Sequence, residues 1–421
     1  MMQVGTARID ITPDPGVELM GFARRDQPSD RRLDPLEAKI LYLGQKHSRM
    51  ILIALDLIGV EGDFVSEIRQ AVAEWDGGDV TRVMVFATHT HSGPGTVNMN
   101  GCGAYRPEYL PILKRKILKA VKEVLPDRRT GRRGKIELCR VETGETDMAL
   151  GVNRRNGKNR NQTLKWIQWV REDGTLKAIL VNYAMHPVCL RTTGISADYP
   201  GAVCRKLEKE LPGDPLVLFG LGPCGDIDPP GVGVDYRQME KWAHQLAGKV
   251  ITKYKSDKLI KRIDHRLTVV SRRTPIAMNY MTQTERDKYA ARYLNDQQWT
   301  EEFGENFVKA VREWKRKSRR QKIEEVEISV VRIGDVVLLF VSAELFSAFT
   351  HLIKIHSKFI MVISCSNGVA GYLPDQTAYA QGGYEIETAL FFYNTFLPKK
   401  GSLEQIATAA KQLIHEVLRD F

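Results

Sequence analysis

The sequence predicts an α/β protein with a layered mixed β-sheet core that is flanked by helices. Three observations support this fold class. Short apolar runs alternate with segments of helical spacing along most of the chain. Asp-Gly at 173–174 and Gly-Asp at 334–335 each join two apolar runs, which indicates antiparallel hairpins and hence a mixed sheet. Polar residues repeatedly follow the apolar runs directly, and open α/β sheets bind ligands at strand ends.

The apolar runs and the helical periodicities give the order of the elements. The predicted strands are 4–11, 36–43, 50–57, 83–87, 135–141, 164–170, 176–183, 216–221, 266–271, 326–333, 336–341 and 359–364. The predicted helices are 64–75, 107–125, 200–211, 236–254, 345–355 and 403–418, with charged helices at 282–322. Residues 24–34 form a loop that is rich in Arg and Asp. We expect one catalytic domain over 1–421, with a helical insertion at about 275–322.

Composition excludes several classes of protein. Hydrophobic residues make up 43% of the chain and charged residues 27%, as in soluble globular proteins. The net charge is +11, but seven of the basic residues fall in the run 312–322, without a nucleic-acid motif or interleaved aromatic residues. We therefore expect a small-molecule substrate, no specific nucleic acid and no membrane insertion, and we leave homo-oligomers open. Six scattered cysteines and the lack of a signal-peptide pattern predict a cytoplasmic protein.

Two histidines follow the apolar run 83–87 in the stretch Thr-His-Thr-His-Ser-Gly-Pro-Gly. In an extended chain, side chains two residues apart point to the same face. His89 and His91 would then project together from a sheet edge, and imidazole is a common zinc ligand. Two polar residues at a strand end would give the same pattern without a metal.

Similar residues follow other predicted strands. His186 comes after 176–183, Asp226 and Asp228 after 216–221, Glu344 after 336–341, and Tyr372 in the loop after 359–364. Each also has a structural interpretation. His186 before a proline can cap a strand, Glu344 can be an acid at a helix N-terminus, Tyr372 can be a packing aromatic, and the two aspartates can cap their own turns.

Assembled in order, these stretches resemble the neutral/alkaline ceramidase family in its catalytic domain. The matching pieces are 88–95, Asn-Tyr-Ala-Met-His-Pro at 182–187 with Ser-Ala-Asp-Tyr-Pro-Gly at 196–201, Gly-Asp-Ile-Asp-Pro at 225–229, and 367–372. They cover the chain from about residue 3 to its C-terminus. The family's well-known members carry a further immunoglobulin-like domain, for which this chain leaves no room.

The resemblance implies a zinc amidase. Carried over residue by residue, it makes His89, His186, Glu344 and Tyr372 the zinc ligands. It places His91 beside the metal and makes Arg154 a substrate contact. Asp228 stands where ceramidases have serine, which predicts poor activity on ceramide and better activity on a polar or cationic amide.

These residues support a zinc-dependent hydrolase of a C–N bond in a small polar amide or N-acyl compound, by attack of a metal-bound water. His91, Asp226 and Asp228 are candidates for the acid and base, and Arg154 can bind a carbonyl oxygen or a carboxylate. Two alternatives stay open. One is a non-catalytic protein that binds a ligand, and the other is a metal-dependent esterase or phosphoester hydrolase.

Overall fold

The computed structural model describes residues 1–45, 48–125, 136–155, 157, 163–256, 261–317, 322–355 and 359–419. Part of the basic run 312–322 therefore lies outside the described residues. The strands are β1 (Met2–Asp10), β2 (Arg31–Arg32), β3 (Glu37–Gln45), β4 (Ser48–Leu55), β5 (Val83–Ala87), β6 (Ile136–Asp147), β7 (Val152–Asn153), β8 (Thr163–Val170), β9 (Leu176–Tyr183), β10 (Gly194–Ile195), β11 (Leu216–Leu221), β12 (Ile227–Asp228), β13 (Lys261–Ile263), β14 (Leu267–Ala277), β15 (Ile323–Ile333), β16 (Val336–Val341), β17 (Glu344–Leu345), β18 (Phe359–Ile363) and β19 (Tyr372–Leu373).

The helices alternate with these strands. They are α1 (Gly62–Asp76), α2 (Leu110–Val124), α3 (Asp198–Glu210), α4 (Tyr236–Ser256), α5 (Gln283–Leu294), α6 (Gln297–Phe303), α7 (Glu305–Lys317), α8 (Phe349–Leu352), α9 (Ala378–Gln381), α10 (Tyr384–Glu387), α11 (Ala389–Phe392) and α12 (Ser402–Arg419), with a 3₁₀ turn at Val80–Arg82. None of the helices within the described ranges is long and apolar enough to cross a membrane.

Two mixed sheets form the centre of the fold. The larger has the order β11-β9-β8-β6-β1-β3-β4-β5, with β13 beside β6, and the smaller has the order β14-β15-β16-β18. Pairing is parallel at both ends of the large sheet and between β16 and β18, and antiparallel elsewhere in the two sheets. The predicted fold class, a mixed sheet core flanked by helices, is confirmed.

The sheets pack face to face, and helices cover their outer faces. Along β16, Leu338 and Phe340 join the apolar cluster that contains Leu41 and Leu43 of the large sheet, whereas Leu339 joins the cluster of the small sheet's outer face. This alternation is the period of a strand buried on both sides. Helices α1 to α4 pack on the large sheet, and α5, α7 and α12 pack on the small one. The order of layers is therefore helix, sheet, sheet, helix.

Two predicted helices differ from the structure. Residues 345–355 do not form one helix, because the amides of Glu344 and Phe346 donate to Gly371 O (2.9 Å) and Leu373 O (3.3 Å) and make the parallel pair β17 and β19. Only Phe349–Leu352 is helical there. Helix α2 begins at Leu110, with a proline in its first turn at 111 and not at 107.

Asn367 joins the edge of the large sheet to the loop that leads to β19. Its amide donates to Val85 O at 2.6 Å, and its side-chain oxygen accepts from Val85 N at 3.0 Å. Its Nδ2 donates to Glu327 at 2.9 Å, and Glu327 pairs with Arg69 of α1 at 2.7 Å. Because these groups are buried, the network fixes the loop relative to β5.

Candidate metal centre

The first two histidines lie in a tight turn at the end of β5. The strand stops at Ala87, and the backbone of His89 is left-handed, with φ 66°. Amide hydrogen bonds of 2.9 Å from Thr88 to Leu55 O and from His89 to Leu57 O hold the turn against β4. The expected extended His-x-His is therefore wrong. The turn brings the two imidazole rings together instead, with centroids 5.0 Å apart.

The third histidine follows β9. The amide of His186 donates to Ile227 O at 2.8 Å, which ties the end of β9 to β12. The ring centroid of His186 lies 4.9 Å from that of His89 and 5.0 Å from that of His91. One ring nitrogen from each histidine lies within 4.8 Å of the other two. Three imidazoles at this spacing can surround one metal ion.

Glu344 and Tyr372 reach the same place through the pair β17 and β19, in which they are direct register partners. The Glu344 carboxylate lies 3.4 Å from His89 Nε2 and is 3% exposed. Glu344 lies five residues before α8, so the interpretation as a helix N-terminal acid is wrong. Burial, and then the Glu344 charge, raise the pKa of Tyr372 well above its usual value.

Several buried donor atoms at this cluster lack hydrogen-bond partners. They are His89 Nε2, His91 Nδ1, His186 Nδ1 and both carboxylate oxygens of Glu344. His89 Nδ1 lies 2.5 Å from Ile58 O. Because a carbonyl only accepts, Nδ1 carries a hydrogen, and Nε2, which faces Glu344, is the nitrogen left to bind a metal ion. A second hydrogen bond that fixes the tautomer in this way is the usual arrangement of a metal-bound histidine.

The electrostatics of the three imidazoles also suit a cation. Burial, His89 and Arg25 together lower the pKa of His91 well below its usual value. Burial, His89 and His91 do the same for the pKa of His186. Burial alone would lower the pKa of His89, but Cys365 and Glu344 raise it well above its usual value. The lowered pKa values keep His91 and His186 neutral, which is the form that binds metal, whereas His89 would have to release a proton when a metal ion binds beside Glu344. With that proton released, the residues present fit a divalent ion.

Arg154 lies at the other side of Tyr372 and is held by four acceptors. Its guanidinium contacts Glu385 at 2.7 Å, Asp228 at 3.1 Å, Gly225 O at 2.7 Å and the Tyr372 hydroxyl at 3.3 Å. The pairing of β7 with β12 brings Arg154 and Asp228 together. The charge of Asp228 is therefore offset by Arg154.

Asp226 accepts hydrogen bonds that connect neighbouring loops. Its two oxygens accept from Ser347 N (2.6 Å), Ser347 Oγ (2.8 Å) and Asn153 Nδ2 (2.8 Å). These bonds tie the loop after β11 to the loops at β7 and β17. Its acceptor sites are occupied, which leaves His91 and Asp228 as the candidates for proton transfer.

The structure thus brings His89, His91, His186, Glu344 and Tyr372 to one point. The ligand role of each stays a prediction. Sequence reasoning missed four neighbours: Phe22 and Arg25 beside His91, Cys365 with its sulfur 3.6 Å from His89 Nδ1, and Glu385 beside Arg154. None lies in a recognisable motif, and only the density of arginine at 24–34 could have drawn attention to Arg25.

No protein-family model matches this sequence, and no curated protein matches it. Solved structures do match. The crystal structure of neutral ceramidase from Pseudomonas aeruginosa superposes with a TM-score of 0.71 at 15% sequence identity, over 99% of this chain and 75% of that chain. A ceramidase complexed with C2 superposes with a TM-score of 0.74 at 14% identity, over the same shares. The resemblance in the sequence is confirmed as a likeness of fold.

Proposed function

We propose that this chain is a zinc-dependent hydrolase that cleaves a C–N bond of a polar amide or N-acyl compound at the histidine cluster. The observation that carries the proposal is the convergence of three histidines with the buried Glu344 carboxylate, whose oxygens and His89 Nε2 have no hydrogen-bond partners. The likeness of fold to two ceramidases supports an amide as the target.

The proposed ligands of the metal are His89, His186, Glu344 and Tyr372. Nitrogen and oxygen donors of these types suit zinc. A bound zinc ion supplies a Lewis acid that polarises a carbonyl group and makes water acidic near neutral pH. The parallel pairing of β17 with β19 holds Glu344 and Tyr372 at a fixed separation, so this half of the set is preorganised.

His91 is the proposed proton carrier. Its Nε2 lies 3.2 Å from Nε2 of His186, so it adjoins the proposed ligands. The resemblance to the ceramidase family is the reason that we leave His91 out of the ligand set, since the three imidazole rings are about equally close to one another. From there it can take a proton from the attacking water and return it to the leaving amine. Its own position is fixed by Gly21, because a Cβ at that glycine would lie 2.3 Å from His91 Nδ1.

Arg154 and Asp228 are the proposed substrate contacts. The Arg154 guanidinium already touches the Tyr372 hydroxyl, so it can donate to a carbonyl oxygen held there. Asp228, whose side chain is 20% exposed, keeps Arg154 in place and presents a polar wall to the substrate. A wall of this kind disfavours a long apolar chain such as that of ceramide.

The test combines metal analysis with turnover. Purified protein should contain about one zinc per chain and should hydrolyse members of a panel of short amides and N-acyl compounds. His186→Ala should lose both metal and activity. His244→Ala, a change at an exposed histidine of α4, should keep both. Metal binding without hydrolysis of any amide, ester or phosphoester would identify the non-catalytic ligand-binding protein. Cleavage of esters or phosphoesters alone would identify the metal-dependent esterase or phosphoester hydrolase.

We also propose that the protein acts in a reducing compartment, the cytoplasm. All six cysteines are free and buried, at positions 102, 139, 189, 204, 224 and 365. Buried thiols without disulfides are typical of cytosolic proteins. Fractionation of the native cells, with a cytosolic marker as control, tests the location, and recovery with exported proteins would contradict it.

A further inference from the structure

Two arginines lie over one aromatic ring beside the histidine cluster. The guanidinium carbons of Arg25 and Arg191 are 4.9 and 5.5 Å from the ring centroid of Phe22. The Phe22 ring meets the His91 ring edge-on, with centroids 5.3 Å apart. Arg25 also donates from Nη1 to His91 O at 2.8 Å. The two cations therefore adjoin the residue that we propose as proton carrier.

The charge of this pair is not balanced. Arg25 Nε and Nη2 are buried and have no hydrogen-bond partner. Among the described residues, neither Arg25 nor Arg191 forms an ion pair with a carboxylate within 4.0 Å. Other buried or partly buried arginines do, namely Arg69, Arg154, Arg155 and Arg205. Burial and then the neighbouring Arg191 lower the pKa of Arg25 to about 10. Two like charges held together with unmade hydrogen bonds are costly unless an anion joins them.

The carboxylates nearby are committed to other groups. Asp198 favours the charged form of Arg25, but its oxygens accept from Leu190 N at 3.0 Å and Tyr199 N at 2.6 Å. On the Tyr372 side of the cluster the arginines are paired with carboxylates. Arg154 contacts Asp228 and Glu385, and Arg155 contacts Glu385. The unpaired charge near the three histidines is thus positive and lies on the His91 side.

We propose that Arg25, Arg191 and Phe22 form an anion pocket that binds an oxyanion on the substrate, so that the amides cleaved by this chain carry a carboxylate or phosphonate-like group. This inference rests on the proposed function and narrows its substrate class. It replaces the cationic amide expected from Asp228, because Arg154 offsets that charge. A guanidinium donates two parallel hydrogen bonds to such an anion, and Nε and Nη2 of Arg25 are a free pair of this kind.

The location of the pocket also limits the shape of the substrate. Phe22 contacts His91, which in turn lies beside the proposed ligands, so the anion and the reacting carbonyl occupy neighbouring positions. The anionic group should therefore be joined to the amide by a short linker. A long acyl chain is not needed to reach it.

Binding of stable substrate analogues tests the inference. Levulinate and its longer homologues are keto acids in which a methylene replaces the amide nitrogen, so that hydrolysis cannot occur during the measurement. Each acid is compared by isothermal titration calorimetry with its neutral hydroxyketone, in which a hydroxymethyl group replaces the carboxylate, and the matching keto-phosphonates show which oxyanion is preferred. The best acid or phosphonate should bind wild-type protein about 10- to 100-fold more tightly than the neutral hydroxyketone.

Variants assign the preference to the two arginines. Arg25→Gln and Arg191→Gln should each reduce the preference for the anion about tenfold or more. Arg191 is exposed, so its variant should fold even where Arg25→Gln disturbs the turn. Arg24→Gln, next in sequence but directed to the Glu301 carbonyl, is the matched control and should keep the full preference.

Two results would overturn the anion pocket: equal affinity of every acid and its neutral hydroxyketone in wild-type protein, or an unchanged preference in Arg191→Gln. Neither result depends on metal content or hydrolysis. A zinc hydrolase without a preference for anions would refute the pocket alone. A protein that binds keto acids through both arginines but contains no metal would refute the proposed function alone.

Discussion

We expect Glu385 to hold Arg154, the proposed substrate contact, and its neighbour Arg155 in position. Its carboxylate is 2% exposed and binds the guanidinium groups of both Arg154 and Arg155. Replacement by Gln keeps the size and one acceptor oxygen but removes the charge. In Glu385→Gln, Asp228 would remain paired with Arg154, whereas Arg155 would lose its ion pair with Glu385.

The structure sets the magnitude. Removing one partner of a buried ion pair costs about 3–5 kcal/mol, because the other charge stays buried. For a chain of 421 residues the unfolding entropy is about 0.9 kcal/mol/K, at ~2.1 cal/mol/K per residue. The melting temperature of Glu385→Gln should therefore fall by about 3–6 °C. Since Arg154 loses its shortest carboxylate contact, turnover should fall as well.

Differential scanning calorimetry measures the shift, and Glu387→Gln is the control. Glu387 lies two residues after Glu385 in α10. Its nearest cation is Arg292, which is 3.9 Å away and 67% exposed. An exposed pair of this kind contributes about 0–1 kcal/mol, so the control should melt within ~1 °C of wild type. Equal shifts for Glu385→Gln and Glu387→Gln would refute the reasoning.

Three further predictions follow from the site. His91→Ala should keep its metal but lose turnover about 10²–10⁴-fold. His89→Asn should lose its metal, as measured by elemental analysis, and asparagine is chosen because it suits the left-handed backbone at φ 66°. Loss of metal in His91→Ala would contradict this division of roles. Gly21→Ala should reduce activity and stability, because its Cβ would meet His91 Nδ1 at 2.3 Å. Gly16→Ala has the same kind of backbone strain at positive φ but meets no neighbouring atom, so it should lose some stability and keep its activity. Equal activity losses would argue against a role for the contact with His91. Wild-type protein should cleave long-chain ceramide poorly, and Asp228→Ser should raise the ratio of ceramide turnover to polar-amide turnover. An unchanged ratio in parallel assays would show that Asp228 does not determine specificity.

Much of the fold could be predicted from local patterns. The run 83–87 is apolar throughout because β5 is buried on both faces, and β8 and β9 form the hairpin that Asp-Gly at 173–174 predicts. The division into two stacked sheets could not be predicted. It depends on which strands from distant parts of the chain pair, and apolar periodicity does not specify partners.

The sequence predicted which residues come together, but not the backbone geometry that brings them together, and their roles stay predictions. His89 and His91 were expected to converge as neighbours on a strand. They converge through a left-handed turn that is held by hydrogen bonds to Leu55, at the end of β4, and to Leu57 just after it. Glu344 was placed at the start of a helix, but pairing with Tyr372 outweighs the local helical preference. Glu385 contacts Arg154 across 231 positions, a separation that no local signal bridges.

The position of the metal is the most direct test of the central claim. Crystals of the protein, measured at the zinc absorption edge, should show one anomalous peak within about 2.0–2.2 Å of His89 Nε2, His186 and Glu344. The Tyr372 oxygen should complete the set, and His91 should lie outside bonding distance. A peak bonded to all three histidines would contradict the assigned roles. A zinc peak elsewhere, with none at the cluster, would contradict the proposed hydrolase itself.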